Sequence, residues 1–203
     1  MSRLAATVAV AVAAFLISTS PLQAGSSMAK LSSVIDGSSI IVNLRGTETK
    51  LRIYAIATPP ADEKRPILRR LNEESAAFLR EYLKEGWIYL EFPGGKPTAD
   101  ENGYVPAYLY RGADATFINE KLVAEGLAIV NRKMKGDYTE QLVNAETQAK
   151  LSQRGIWGSF VNGSGEKIAA GGGAQGTYIG VPGATETRNY NNYVVYWIRT
   201  FYH

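Results

Sequence analysis

Residues 34–42 read VIDGSSIIV, and this stretch decides the fold. An Asp-Gly pair between two apolar runs rich in β-branched residues is a strong signal for a tight hairpin turn. A second turn at residues 45–48 leads into another apolar run at residues 50–56, and two consecutive prolines then end the strand because proline cannot donate to a sheet. The start of the domain therefore predicts three strands joined by hairpins, and thus an antiparallel sheet.

The rest of the body carries further helical and strand patterns. Apolar residues at three- and four-residue spacing predict helices, and shorter alternating runs predict strands. Helices are expected at residues 67–85, 116–126 and 138–153, and strands at residues 87–92 and 104–110. Pro106 indicates an edge or a bulge in the last strand, and Thr116 and Asn119 are candidate caps of the second helix. The order βββαββαα predicts an α+β fold in which five strands curl into a small barrel, with three helices.

The composition excludes several kinds of catalytic site. The chain has 203 residues, with 22 Lys and Arg against 19 Asp and Glu, no cysteine, and a single histidine at its last position, His203. These counts rule out a disulfide framework, a thiolate nucleophile, a Ser-His-Asp triad and a multi-histidine metal site. Any catalysis must use carboxylates, arginine, lysine, hydroxyl groups or a metal held by oxygen atoms. The net charge of +3 is too small to indicate a nucleic-acid scaffold.

Residues 1–24 have the pattern of a secretory signal. Arg3 gives the positive start, residues 4–17 form an apolar run interrupted only by Thr7, and Pro21 follows the end of that run. The alternative is an uncleaved membrane anchor, but the run is shorter than the roughly 18 residues that span a bilayer. We therefore expect an exported protein, periplasmic or secreted, without a transmembrane segment in its mature chain.

Residues 159–203 differ in composition from the body of the chain. Residues 163–183 are rich in Gly, Ser and Ala, which is typical of a flexible linker, and the last 14 residues carry six aromatic side chains. Residues 194–198 have the composition of a strand. The tail is expected either to pack on the domain, which its aromatic content favours, or to contact a protein partner. The expected organisation is a signal peptide at 1–24, a domain at 31–158, and a linker with a tail at 159–203.

Several separate blocks of the sequence occur in the order and spacing of a known family. They include VIDG at 34–37, LRI at 51–53, ESAAFL at 74–79, PAYLY at 106–110, FINEKLVAEGLA at 117–128 and RGIW at 154–157. Over residues 31–158 the chain resembles the staphylococcal nuclease, or thermonuclease-like, family. The resemblance implies an OB-fold barrel with three helices, which agrees with the strands and helices predicted from the residues themselves.

The resemblance also implies a chemistry, the calcium-dependent hydrolysis of phosphodiester bonds. In the family, Asp carboxylates and a backbone carbonyl hold calcium, a Glu acts as base or positions water, and two Arg grip the phosphate. Of these positions, this chain retains Asp36, Arg52 and Thr58. The other four are Ser38 and Ala57 in place of the metal carboxylates, Pro60 in place of the Glu, and Tyr104 in place of the second Arg.

The loss of these four groups predicts that calcium is not bound. Calcium favours about six to eight oxygen ligands, several of them anionic, and a hydroxyl and a methyl group cannot replace two carboxylates. Asp36 and Thr58 are therefore expected to be remnants of a metal site, and no cofactor is expected. Asp62 and Glu63 are the nearest carboxylates that could take over the role of the lost base.

The presence of the retained residues can also be explained without a bound ligand. We predict Arg52 as the remnant of the catalytic machinery and Arg52, Tyr104 and Tyr108 as ligand-binding residues. An ion pair between Arg52 and Asp36 is the alternative to phosphate binding, and it is favoured because few other charges remain nearby. Asp36 before a glycine is also a common turn pair that needs no metal.

Two clusters of basic residues are candidates for nucleic-acid contacts. The first consists of Lys64, Arg65, Arg69 and Arg70, and the second of Arg132, Lys133 and Lys135. Because acidic residues surround the first cluster, it is expected to be a solvated face linked by salt bridges. The second lies near Tyr138 and is a weak candidate for stacking of single-stranded nucleic acid.

Three functions from different classes remain open. The favoured one is a catalytically impaired domain that binds nucleic acid or an oligosaccharide, because OB-fold faces bind both. The resemblance includes family members named for exopolysaccharide synthesis, which keeps an exopolysaccharide-related role open. The alternatives are an active calcium-dependent nuclease with a rearranged site, and an envelope protein that contacts a partner through its aromatic tail.

Overall fold

A computed structural model describes residues 26–84, 86–158 and 197–201. The predicted signal sequence at residues 1–24 and most of the predicted linker and tail lie outside these ranges. Within the described ranges, no helix combines the length and the apolar character needed to cross a membrane.

Five strands form a closed barrel, and two short strands form a separate ribbon. The strands are β1 (Ser26–Asp36), β2 (Ser39–Leu44), β3 (Thr47–Ile53), β4 (Ile56–Ala57), β5 (Trp87–Glu91), β6 (Val105–Arg111) and β7 (Ile129–Val130). The helices of the domain are α1 (Pro66–Tyr82), α2 (Ile118–Ala124) and α3 (Thr139–Leu151), with 3-10 turns at Pro93–Gly95 and Gly155–Trp157. The barrel order is β1-β2-β3-β6-β5, and β4 pairs with β7. The predicted α+β fold, a five-stranded OB-type barrel with three helices, is confirmed.

The strand registers bring the residues of interest to neighbouring positions. In the two hairpins, Asp36 pairs with Ser39, and Ser39 pairs with Arg52. Parallel pairing of β3 with β6 places Arg52 opposite Pro106 and closes the barrel. Since β6 is paired on both sides, the edge strand that Pro106 indicated is not found. The proline is tolerated because β5 pairs with β6 only from Tyr108 onward.

The barrel core is built from the inward-facing residues of the strands and the apolar faces of the helices. The strands contribute the fully buried Ile40, Val42, Leu51, Ile53, Ile88, Leu90 and Leu109, and the helices Leu79, Ile118, Leu122 and Leu142. Each such side chain stabilises the folded state by about 1.5–3 kcal/mol when it is removed from water. The core therefore fixes the barrel whose strands and turns carry the candidate site.

Helix α1 begins where the sequence indicates and ends earlier. Pro66 occupies its first turn, where the missing N–H costs nothing. The helix ends at Tyr82, and Gly86, with φ 85°, donates its N–H to the carbonyl of Leu83 at 2.9 Å. On its exposed side, Arg69 pairs with Glu73 and Arg70 with Glu74, each four residues apart. These pairs confirm the predicted salt-bridged face.

The run predicted as one strand at residues 50–56 is two strands. Ala55 has a positive φ of 62°, which breaks β3 from β4. Ile56–Ala57 then pairs with Ile129–Val130, a partner that the sequence patterns did not predict. Strands of two residues are too short to show a periodicity.

The strand predicted at residues 194–198 is wrong in its described part. Residues 197–201 are helical, and the Thr200 hydroxyl donates to the carbonyl of Trp197 at 2.6 Å. Trp197 is buried and belongs to an apolar cluster with residues of the domain. Residues 194–196 lie outside the described ranges.

Asn119 is not a helix cap, contrary to expectation, and neither is Thr116. The N-cap of α2 is Phe117, without a side-chain capping bond. The fully buried Asn119 instead donates from Nδ2 to the carbonyl of Tyr54 at 2.8 Å and accepts at Oδ1 from the N–H of Leu109 at 3.0 Å. Its amide therefore joins β6 to the turn between β3 and β4.

Replacing Asn119 with Ala is expected to lower the free energy of unfolding by roughly 2–3 kcal/mol, because two buried backbone groups lose their partner. Urea denaturation measures the change. The control is Asn144→Ala on the exposed side of α3, which should shift the free energy by less than about 0.5 kcal/mol. Equal effects of the two substitutions would show that the Asn119 bridge contributes nothing.

Candidate functional site

Asp36 is held in the β1–β2 turn by its own neighbours. Its Oδ1 accepts hydrogen bonds from the backbone N–H of Ser38 at 2.8 Å and from the Ser38 hydroxyl at 3.3 Å. This is the local side-chain turn that an Asp favours when a glycine follows it, and it forms without a metal. The retained carboxylate is thus engaged within the turn.

The turn lies unusually close to α1 and to the exit of β4. A Cβ atom on Gly37 would lie 2.7 Å from Cβ of Ser75 and 3.2 Å from Cγ2 of Thr58, so only glycine fits without displacement. The Thr58 hydroxyl donates to Oγ of Ser38 at 3.0 Å. Asp36, Ser38 and Thr58 therefore form one hydrogen-bonded cluster, and the structure brings the two predicted metal remnants together.

Arg52 stacks on Tyr104. The guanidinium carbon lies 4.3 Å from the centre of the Tyr104 ring, and Nζ of Lys50 lies 5.8 Å from the same centre. A cation above an aromatic ring is attracted to the negative face of the ring, and arginine also stacks by its flat shape. Tyr104, at the position where the resemblance puts a second arginine, thus orients Arg52.

The expected ion pair between Arg52 and Asp36 does not form within the described residues. The two residues sit on β3 and β1, and Ser39 of β2 pairs with both of them. Neighbouring strands are about 4.8 Å apart, so the two backbones are separated by roughly 10 Å. Ser39 is fully buried, and its hydroxyl has no hydrogen-bond partner. The Asp36 carboxylate is instead engaged by Ser38, and the Arg52 guanidinium lies over the Tyr104 ring.

The other two replaced positions carry no acidic group. The methyl group of Ala57 is buried in an apolar cluster that includes Leu68 and Ile129. Pro60 is exposed, and the carbonyl of Pro59 before it accepts a bond from Nδ2 of Asn72 at 2.6 Å. This part of the site is therefore held in place by packing and by α1.

The residues at this position do not fit a calcium ion. The cluster of Asp36, Ser38 and Thr58 contains one carboxylate, and its Oδ1 already accepts two hydrogen bonds. Across the ranges that the structure describes, no group of three or more His, Asp or Glu side chains is arranged to hold a metal ion. Calcium sites need several anionic oxygens around one point.

Glu63 is not placed to replace the lost base. Its Oε1 accepts hydrogen bonds from the Arg65 backbone N–H at 3.0 Å and from Arg65 Nε at 2.8 Å. The guanidinium of Arg65 holds the pKa of Glu63 down at about 2. A base that works near neutral pH needs a pKa close to that pH, so this ion-paired carboxylate is a poor proton acceptor. Asp62 is exposed to solvent.

Tyr108, a predicted ligand-binding residue, is buried at 2% exposure. Gly136 lies against its hydroxyl, and the rings of Tyr54 and Tyr138 meet it edge-on, with centroids 5.3 and 4.7 Å away. Burial raises the pKa of Tyr108 above the usual tyrosine range, so the hydroxyl stays neutral. The hydroxyl of Tyr138 donates to Glu91 at 2.7 Å. The structure therefore places Tyr108 inside an aromatic cluster and away from the ligand-accessible surface.

In the second basic cluster, Arg132 has a structural partner. The Arg132 guanidinium donates a hydrogen bond to the carboxylate of Glu146 at 2.7 Å, and this carboxylate is fully buried. The same carboxylate also accepts hydrogen bonds from the backbone N–H of Val130 at 2.9 Å and from Nζ of Lys150 at 3.0 Å. The two lysines of the cluster, at positions 133 and 135, are exposed. Arg132 thus serves the attachment of α3 to β7.

Three residues of importance were missed by sequence reasoning. Lys50 shares a strand face with Arg52, and the two-residue spacing was a usable signal. Glu146 lies at helical spacing from Leu142 and Ala149, which marks it as a buried position of α3. For Ser39 no sequence pattern indicates that its hydroxyl is buried without a partner, on the strand between those of Asp36 and Arg52.

Replacing Glu63 with Gln is expected to lower the free energy of unfolding at neutral pH by on the order of 1 kcal/mol. The folded-state pKa of Glu63, about 2, lies below its ordinary value of 4.5, so the stabilisation is complete above that ordinary value and is lost as pH falls towards 2. Urea denaturation at several pH values should show the two proteins converging as the solution becomes acidic. The control is Glu81→Gln in an exposed pair with Lys84, which should give a smaller change. A difference independent of pH would contradict the ion-pair explanation.

Comparisons with known proteins agree with the barrel fold. The family described as staphylococcal nuclease homologue matches residues 50–159. A thermonuclease from Staphylococcus hyicus is 30% identical over 129 residues, covering 63% of this chain and 74% of that protein. A thermonuclease from Staphylococcus intermedius is 26% identical over 125 residues, covering 61% of this chain and 72% of that protein. An uncharacterized protein from Bacillus anthracis is 26% identical over 130 residues, and the matched part spans 59% of its length. The chain belongs to the staphylococcal nuclease homologue family.

Proposed function

We propose that this domain binds single-stranded nucleic acid through its phosphodiester backbone and does not hydrolyse it. The observation that carries the proposal is the Arg52 guanidinium stacked on Tyr104, two strands away from a cluster that holds a single carboxylate. The two Staphylococcus relatives named thermonuclease support a phosphodiester as the ligand class. The signal-like residues 1–24 support an encounter with that ligand outside the cytoplasm.

The absence of hydrolysis follows from the groups that replace the catalytic ones. Phosphodiester cleavage of this kind needs a cation to neutralise the phosphate and a base or water-positioning group near the phosphorus atom. Here Ala57 presents a buried methyl group, Pro60 has no ionisable atom, and Glu63 is paired with Arg65. Removing several groups that act together on one transition state lowers the rate by many orders of magnitude.

The ability to bind rests on the outer face of β3. Lys50 and Arg52 lie two residues apart on β3 and point to the same side of that strand. Both cations lie near the ring of Tyr104, which belongs to the loop before β6. The stack restricts the guanidinium, so its remaining N–H groups can form charge-assisted bonds to phosphate with little further ordering. The face formed by the second and third strands is also the surface on which OB folds bind oligonucleotides and oligosaccharides.

A fluorescein-labelled deoxythymidine oligonucleotide should bind the full-length protein in a fluorescence anisotropy titration. Arg52→Ala is expected to weaken binding about tenfold, because a charge-assisted hydrogen bond is lost, and Tyr104→Ala about five- to tenfold, because a stacking surface is lost. With two cations on the phosphates, the logarithm of the binding constant should fall with the logarithm of salt concentration at a slope of about −1.4.

Two control variants test whether binding depends on the Arg52–Tyr104 site or on exposed charges and aromatic rings in general. Arg80→Ala removes an exposed arginine near the end of α1, and Tyr89→Ala removes an exposed tyrosine of β5; neither should alter binding by more than about twofold. Equal weakening by the control substitutions would reject the Arg52–Tyr104 site. Binding of a neutral oligosaccharide at this face, without oligonucleotide binding, would assign the other ligand class of OB folds.

No cleavage of single-stranded DNA or RNA is expected when calcium is added, and calorimetric titration of calcium should give no saturable heat. The physical reason is the single carboxylate at the Asp36 cluster. A calcium-dependent cleavage activity that disappears in Arg52→Ala would establish the alternative function, an active nuclease with a rearranged site.

A further inference from the structure

The described part of the C-terminal segment lies on the β4–β7 ribbon. Trp197 is 6% exposed and belongs to one apolar cluster with Ala57 and Ile129, which are paired directly across the ribbon. The other buried members come from α1 and from the 3-10 turn after α3. We call the domain's share of this cluster the seat, and it consists of Ala57, Leu68, Leu71, Ile129 and Ile156.

The seat is a different surface from the barrel core. Successive residues of a strand point to opposite faces, and the ribbon follows this rule. Ile56 and Val130 belong to the barrel core, whereas Ala57 and Ile129 belong to the seat. The ribbon therefore has two apolar faces, one covered by the barrel and one covered by Trp197.

Besides its apolar contacts, the C-terminal segment forms a hydrogen bond with the domain and an aromatic contact within itself. The carbonyl of Phe201 accepts a hydrogen bond from the N–H of Arg132 at 3.1 Å. The Arg132 side chain is itself fixed by the buried carboxylate of Glu146. The rings of Trp197 and Phe201 meet edge-on with centroids 5.6 Å apart, so the segment presents a folded aromatic surface to the seat.

Residue 57 is the position at which the family resemblance puts a metal-binding carboxylate, and the seat does not admit one. All five side chains of the seat are hydrocarbons, and Ala57 is 7% exposed. An ionised carboxylate buried among such groups, without a cation, is strongly disfavoured. Conversely, a hydrated ion beside residue 57 would remove the dry surface against which Trp197 packs.

We propose that the seat is a binding site for the chain's own aromatic C-terminal segment, and that it replaces the family's metal site at residue 57. Binding of the segment requires an apolar residue at position 57, and a carboxylate there excludes the segment. The seat contains neither Arg52 nor Tyr104, so this proposal is independent of nucleic-acid binding.

The test uses the full-length chain and its Trp197→Ala variant. Trp197→Ala should lower the melting temperature by roughly 5 °C or more, because a large buried side chain is lost. The matched control is Trp87→Ala, which removes a tryptophan that is 50% exposed and should leave the melting temperature nearly unchanged. Equal shifts for the two variants would overturn the proposal.

A labelled synthetic peptide of residues 190–203 then probes the seat directly by anisotropy. It should bind the Trp197→Ala chain at least tenfold more tightly than the unaltered chain, whose seat is filled by its own segment. Adding Ala57→Asp to the Trp197→Ala chain should weaken peptide binding at least tenfold, whereas adding Ala57→Ser should weaken it less.

Three results of this titration would overturn the proposal: a peptide that does not bind the Trp197→Ala chain, a peptide that binds both chains equally, and binding that is unaffected by Ala57→Asp. If Ala57→Asp prevents folding, as circular dichroism would reveal, the peptide supplies the remaining test. A peptide carrying Trp197→Ala and Phe201→Ala leaves the protein untouched and should lose at least tenfold in affinity. Unchanged affinity of that peptide would equally reject the seat.

Discussion

The parallel pairing of β3 with β6 is the constraint from which the site follows. Opposing Leu51 to Val105 closes the barrel around a core to which both strands contribute. The same register puts Arg52 opposite Pro106, and thereby brings Tyr104, two residues before that proline, within stacking distance of the guanidinium. A shift by one residue would turn the core residues outward and separate Arg52 from the ring. The stability of the barrel and the geometry of its cationic face are therefore set by one pairing.

Local patterns predicted the parts of the fold that local interactions determine. The Asp-Gly turn gave the β1–β2 hairpin, and the spacing of apolar residues gave three helices close to their observed bounds. The β4–β7 ribbon was missed because it is held by residues far apart in sequence, Ile56 with Val130, and is too short to show alternation. Asn119 has the side chain and the position of a cap at the start of a helical run, whereas its partners are the backbone of β6 and of the distant turn between β3 and β4.

The candidate site was predictable in composition and not in geometry. The residues at positions 36, 38, 52, 57, 58, 60 and 104 could be identified by their place in the motifs, and the structure brings Asp36, Ser38 and Thr58 together. Ser39 lies on the strand between those of Asp36 and Arg52, and this depends on the order of strands in the barrel. The positions of charged residues along the sequence do not predict that order. That Ala57 faces Trp197 depends on the fold of the C-terminal segment.

The closed barrel has a consequence for behaviour in concentrated solution. Each of its five described strands pairs with a neighbour on both sides, and the register of β3 with β6 leaves the first four residues of β3, 47–50, without a strand partner on that side. The remaining ribbon exposes edges of two residues, which are too short to template an added strand. The topology of the described domain thereby leaves short stretches open to edge-to-edge pairing, and the one at the start of β3 carries the charged Glu48 and Lys50.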